Sequence, residues 1–125
     1  MPRTQILLVD QDPDTRVILR EVLEHEGYGV VEAATGAEGL ALARASAPDV
    51  IIGEFPLDIP GQSLFTDHVR SAPELAGTRI LVVTARALEQ ELEAAAAVGD
   101  AVLVKPVSPT DVVAEVRRLL APGAG

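Results

Sequence analysis

The 125-residue chain contains no cysteine and no tryptophan, and its only aromatic side chains are Tyr28, Phe55 and Phe65. Without cysteine, disulfides, thiolate nucleophiles and cysteine-based zinc sites are excluded together. Aromatics make up 2% of the residues while hydrophobic residues make up 48%, so the core has to be aliphatic, built of Val, Leu, Ile and Ala packed between layers. Positive charge is scarce as well: 10 Lys and Arg against 19 Asp and Glu leave a net charge of -9. Phosphate backbones are bound by clusters of Lys and Arg, and none appears, so direct nucleic-acid binding is not expected. No apolar run has the length of a membrane span, and no signal-peptide core follows Met1 to Gln5. The expectation is one cytoplasmic domain over residues 1–125, with a core over about 5–120 and a tail or linker stub at 121–125.

What the sequence does contain is a series of short apolar runs that end on a polar group. Ile6 to Val9 stops on Asp10, Val50 to Gly53 on Glu54, Ile80 to Val83 on Thr84, and Val102 to Val104 on Lys105. The runs lack polar alternation, which marks strands buried on both faces of a parallel sheet. Helical segments separate them. Asp12-Pro13-Asp14 reads as N-cap, N1 proline and first-turn acid of a helix that is predicted to bury Val17, Ile18, Val22 and Leu23 and to end at Gly27. Tyr28 to Glu32 is a second strand, and Thr35-Gly36-Ala37-Glu38 is a capping box opening a helix through about Ser46. After the strand ending at Glu54, a long loop with Pro56, Pro60 and Gly61, predicted to be mobile, precedes a helix through Phe65 and Val69. Thr78 to Thr84 is a fourth strand, Ala85 to Val98 a helix of high intrinsic propensity, and Ala101 to Val104 a fifth strand. Ser108-Pro109-Thr110-Asp111 caps a last helix whose Val112, Val113, Val116, Leu119 and Leu120 follow helical spacing.

Five β-α units in series with right-handed crossovers predict an α/β fold: a doubly wound five-stranded parallel sheet, order 2-1-3-4-5, flavodoxin-like. In that order the strands ending in Asp10 and Glu54 flank the switch point where ligands bind, and all four polar strand ends converge on one shallow cleft.

Carboxylates on the first and third strands, a Thr on the fourth and a Lys on the fifth suit the holding of Mg²⁺ and a phosphoryl group. Ile6-Leu7-Leu8-Val9-Asp10, Pro48-Asp49-Val50-Ile51-Ile52, Leu81-Val82-Val83-Thr84-Ala85 and Leu103-Val104-Lys105-Pro106 together resemble the receiver domain of two-component response regulators, over essentially the whole chain. The resemblance implies an acidic pair that binds Mg²⁺, an Asp ending the third strand that accepts a phosphoryl group from a sensor histidine kinase, and a cis Lys105-Pro106 bond. Asp10, Thr84 and Lys105 match that pattern. Gln11 stands in place of the second acid, Glu54 at the phospho-acceptor position, and Val102 where an aromatic switch residue is expected.

Each departure has a physical consequence. Glu places its carboxylate about 1 Å further out than Asp, a misplacement that can cost roughly 100-fold in rate. Gln11 replaces a charged ligand by a neutral carbonyl, so Asp10 and Glu54 are left as the metal carboxylates and Mg²⁺ is expected to bind weakly or not at all. Glu54 is predicted to pair with Lys105 without phosphorylation, and Val102 cannot make an aromatic rotamer swing. The chain reads as a divergent, pseudo-receiver-like module that contacts a sensor histidine kinase or downstream effector, with a homodimer possible; weak or conditional phosphorylation is the alternative within the family.

Other residues have plainer readings. Helix capping explains Asp12 and Asp14. Asp58 reads as a solvated loop acid, and His25 and His68 as lone surface histidines without metal-ligand spacing. Asp10-Gln11-Asp12 also looks like the Asp-x-Asp motif of haloacid-dehalogenase-type phosphatases, with Asp10 as nucleophile and Asp12 as acid/base. The later acidic cluster is missing, since Asp111 and Glu115 fall in the last helix, and there is no cap domain. No enzymatic activity is expected. A flavin phosphate would be repelled by the acids at 10, 12 and 14.

Overall fold

In a computed structural model that describes residues 3–54, 65–85 and 89–121, the apolar runs form the strands β1 (Gln5–Val9), β2 (Gly29–Ala33), β3 (Val50–Glu54), β4 (Arg79–Thr84) and β5 (Ala101–Val104). All neighbours are parallel and the order is β2-β1-β3-β4-β5, as the pattern predicts. Because successive strand side chains point to opposite faces, the sheet divides the core in two. Leu7, Val9, Ile51, Ile80 and Val82 face one layer. It contains residues of α2 (Gly36–Ser46), α3 (Phe65–Ser71) and α4 (Glu89–Val98). Ile6, Leu8, Val50, Ile52, Leu81 and Val83 face the other, with α1 (Pro13–His25) and α5 (Pro109–Leu120).

The helix starts follow their caps. Asp12 accepts the Asp14 N–H at 3.1 Å, Thr35 the Glu38 N–H at 3.2 Å, and Ser108 the Thr110 N–H at 3.2 Å. Gly39 lets α2 lie close to the sheet, since a Cβ there would come within 2.9 Å of Val9 and 3.1 Å of Phe65. Gly27 follows α1 with φ of 94°, a conformation natural to glycine. α5 buries Val112, Val113, Val116 and Leu119 as its spacing predicts, with Leu120 partly buried.

The sheet-facing side of α1 differs from the expectation. Leu19 and Leu23 are buried and Val22 packs beside them, whereas Val17 and Ile18 are 53% and 50% exposed. At about 100° per residue, Leu19 and Leu23 define one stripe with Val22 at its flank, and Val17 and Ile18 rotate away from it. Several strand boundaries also move by one residue: β1 begins at Gln5, β2 shifts to Gly29–Ala33, and β4 begins at Arg79. Thr78 lies just before the strand because its N–H donates to the Leu75 carbonyl of the preceding turn at 3.0 Å, and its hydroxyl donates to the Pro48 carbonyl at 2.8 Å, tying the β4 entrance to that of β3. A 3-10 turn at Pro73–Leu75, unmarked in the sequence pattern, joins α3 to β4. The loop residues Phe55, Pro56, Asp58, Pro60 and Gly61, the start of the predicted fourth helix at 86–88 and the tail at 122–125 lie outside the described residues. Among the described residues no helix is long and apolar enough to cross a membrane.

Candidate functional site at the carboxyl ends of the strands

Pairing carries β1 and β5 one residue beyond their strands. Asp10 N–H donates to the Ala33 carbonyl at 3.1 Å and Lys105 N–H to the Thr84 carbonyl at 2.7 Å. Those bonds fix the backbones of Asp10 and Lys105 at the same end of the sheet as Glu54, the last residue of β3. Their side chains meet. Lys105 Nζ is 3.5 Å from Asp10 Oδ2 and 3.6 Å from Glu54 Oε2. The remaining oxygens take backbone N–H groups of the next loop: Gln11 N–H donates to Glu54 Oε1 and Asp12 N–H to Asp10 Oδ1, both at 2.8 Å. Thus all four oxygens of the two carboxylates have partners.

The two carboxylates differ in setting. The Asp10 side chain is 5% exposed and that of Glu54 26%. Burial pushes the Asp10 carboxyl above its ordinary range, and the charge of Glu54 adds to that, against the Asp12 N–H and Lys105. Thr84 is buried at the end of β4. Val102 is half-buried and packs against the core layer of α2, α3 and α4. The Lys105-Pro106 peptide bond is cis.

Several candidates take other roles. Asp12 spends both oxygens on capping, with the Thr15 hydroxyl at 2.7 Å and the Asp14 N–H at 3.1 Å. The Thr15 hydrogen bond draws its carboxyl below the ordinary range. Asp14 lies in the first turn of α1. His25 is exposed, but His68 is half-buried rather than at the surface, because it lies three residues after the buried Phe65 on the flank of the same helix face. Asp111 and Glu115 belong to α5, where Glu115 pairs with Arg118 at 2.9 Å. Among the described residues, no group of three or more His, Asp or Glu side chains is placed to hold a metal ion.

Two contributions were invisible in the residue pattern. Gln11 reaches Glu54 through its backbone N–H, which carries no signature of residue type. Arg16, in the second turn of α1, donates to the Asp10 carbonyl at 2.5 Å and to Glu32 at 3.2 Å, and Glu32 also accepts from Arg20 at 2.5 Å.

The pattern of the response regulator receiver domain matches residues 6–117. The chain is 36% identical over 121 residues to the transcriptional regulatory protein ResD of Bacillus subtilis, covering 94% of this chain and 48% of ResD, so it spans about half the length of that relative. The chemotaxis response regulator CheY4 of Vibrio cholerae superposes with a TM-score of 0.84 at 30% identity, over 95% of this chain and 100% of that one. The receiver domain of the Pseudomonas aeruginosa sensor histidine kinase PA1611, with a magnesium ion coordinated in its active-site cleft, shares the fold at a TM-score of 0.81 and 24% identity, over 94% of this chain and 98% of that one. Such domains are signalling units rather than classical enzymes, and this chain belongs to the family of response regulator receiver domains of two-component systems.

Proposed function

We propose that this receiver holds a fixed charge arrangement at its phospho-acceptor position, without ordinary aspartyl phosphorylation, and signals through contact with protein partners such as a sensor histidine kinase or a downstream effector. One observation carries the reading: both oxygens of Glu54 are engaged, Oε1 by the Gln11 N–H at 2.8 Å and Oε2 by Lys105 at 3.6 Å. A nucleophilic carboxylate needs an oxygen free to attack along the line of the leaving group. Glu54 instead supplies its charge directly to Lys105, the residue that in the family pattern would meet an incoming phosphoryl oxygen.

Mg²⁺ does not fit this donor set well. The hard cation is bound through carboxylates and keeps near-ideal octahedral geometry, but here two carboxylates share one ammonium and Gln11 offers only a neutral amide. Lys105 competes electrostatically for the position a cation would take. The phosphatase reading loses its acid/base, because Asp12 is committed to the start of α1. With a half-buried Val102 on β5, partner contact is made through a surface that does not depend on an aromatic rotamer.

The test is the intact mass of the natural chain after exposure to a small-molecule phosphodonor, with and without millimolar Mg²⁺. The expected result is an unchanged mass in both conditions. Ready addition of a hydroxylamine-labile phosphoryl group, on Glu54 or on Asp58, would overturn the proposal.

A further inference from the structure

The Asp10–Gln11 peptide is gripped at both ends. Its N–H donates to Glu54 Oε1 at 2.8 Å, and its carbonyl accepts from the Arg16 guanidinium at 2.5 Å. A trans peptide is planar and its C=O and N–H point in opposite directions, so a group that fixes the carbonyl also fixes where the N–H is aimed. The guanidinium further polarises the peptide, which makes the N–H a stronger donor to a carboxylate. Arg16 is itself held by a second fork: its Nε donates to Glu32 Oε1 at 3.2 Å, and Arg20 holds the other oxygen of Glu32 at 2.5 Å. With its side chain only 17% exposed, Arg16 is a braced and mostly sheltered group on the side of the Asp10–Gln11 peptide away from the cleft.

We infer that Arg16 is a positioning residue for Glu54: braced by Glu32, it orients the Asp10–Gln11 peptide so that the Gln11 N–H stays on the carboxylate. The line runs from the α1/β2 surface, through Glu32 and Arg16, into the cleft. It concerns the orientation of Glu54 and holds whether or not the chain is ever phosphorylated, so its failure and that of the phosphorylation-independent reading are read by different measurements.

The test is amide hydrogen exchange and amide chemical shift at Gln11 in the full chain, compared across Arg16→Met, Glu54→Ala, the double variant and Glu32→Gln. Methionine keeps much of the arginine stem but donates nothing. In Arg16→Met, Gln11 is expected to lose about tenfold or more protection, the factor that corresponds to one hydrogen bond to a charged group, while the core amides of Leu7 and Ile51 keep theirs. Glu54→Ala should produce the same loss, and the double variant no further loss, because both substitutions break one linked contact. Glu32→Gln, which leaves Arg16 in place, should give a smaller change in the same direction and serves if Arg16→Met does not fold. Unchanged Gln11 protection in Arg16→Met or in Glu32→Gln, multiplicative losses in the double variant, or a loss shared equally by Leu7 and Ile51 would overturn the assignment in favour of a purely structural ion pair.

Discussion

Aspartates stand at both ends of the sheet, and the two ends use them differently. At the amino ends of the strands, Asp49 accepts the Gln5 N–H at 2.8 Å, and Asp100 accepts the Ile80 N–H and the Arg70 guanidinium, both at 2.7 Å, with Arg79 at 3.9 Å. Burial pushes the Asp100 carboxyl up, but Arg70, the Ile80 N–H and Arg79 outweigh it and hold it below its ordinary range. At the carboxyl ends, Asp10 and Glu54 share the ammonium of Lys105, and the carboxyl of Asp10 is pushed up. The first end stabilises the fold by strapping strand entrances together. The second concentrates like charge where open α/β sheets carry their function, and perturbed carboxylates of that kind mark functional sites.

Removing the shared cation should have the largest effect. Lys105→Met leaves two carboxylates facing each other without a counter-charge, and is expected to lower stability at neutral pH by roughly 2 kcal/mol, reduced from a fully buried pair because Glu54 and Lys105 are partly exposed. The loss should shrink as pH falls and Asp10 protonates. Urea denaturation measures it, and unchanged stability would mean that the two carboxylates do not repel.

At the other end, Asp100→Asn should cost about 1 to 2 kcal/mol, because it weakens a charge-assisted bond to Arg70. The folded pKa of Asp100 lies below the unfolded value of about 3.9, so the folded state binds fewer protons. Its contribution is present above that pH and is lost as pH falls through the folded value. The variant and the natural chain should therefore converge in strong acid.

Asp10→Asn should show the smallest effect and the opposite sign. The folded pKa of Asp10 is raised, so the folded state binds more protons than the unfolded chain, and stability falls as pH rises from about 3.9 through the folded value. Asn retains an oxygen for the Asp12 N–H, so Asp10→Asn is expected to gain up to about 1 kcal/mol at neutral pH and nothing in acid. Thermal melts at several pH values check this. A loss of stability at neutral pH would remove the contrast between the two ends of the sheet.

The strands and their order were legible because buried parallel strands write uninterrupted apolar runs, and Ile6 to Val9 or Ile80 to Val83 can be little else. The helix starts were legible because a cap is a local event: Thr35 and Ser108 act within three residues of themselves. The buried face of α1 was misread at Val17 and Ile18, since this helix carries more β-branched residues than its stripe uses and the docking angle, not the sequence, selects Leu19 and Leu23. The approach of Lys105 to Glu54 was expected from the convergence of strand ends. The N–H groups of Gln11 and Asp12 and the grip of Arg16 depend on the orientation of single peptides, which residue identity does not encode.

The function proposed above rests on two positions that depart from the family pattern, Gln11 and Glu54, beside three that match it in residue type, Asp10, Thr84 and Lys105. Its most direct test is the intact mass of the Gln11→Asp, Glu54→Asp double variant and of each single variant after treatment with a phosphodonor and Mg²⁺. Glu54→Asp alone restores the reach of the carboxylate without a second metal ligand, and Gln11→Asp alone restores the ligand without the reach, so neither single variant should be modified. The double variant should gain one phosphoryl group that requires Mg²⁺ and is removed by hydroxylamine. An unmodified double variant would contradict the account by placing the divergence beyond these two residues.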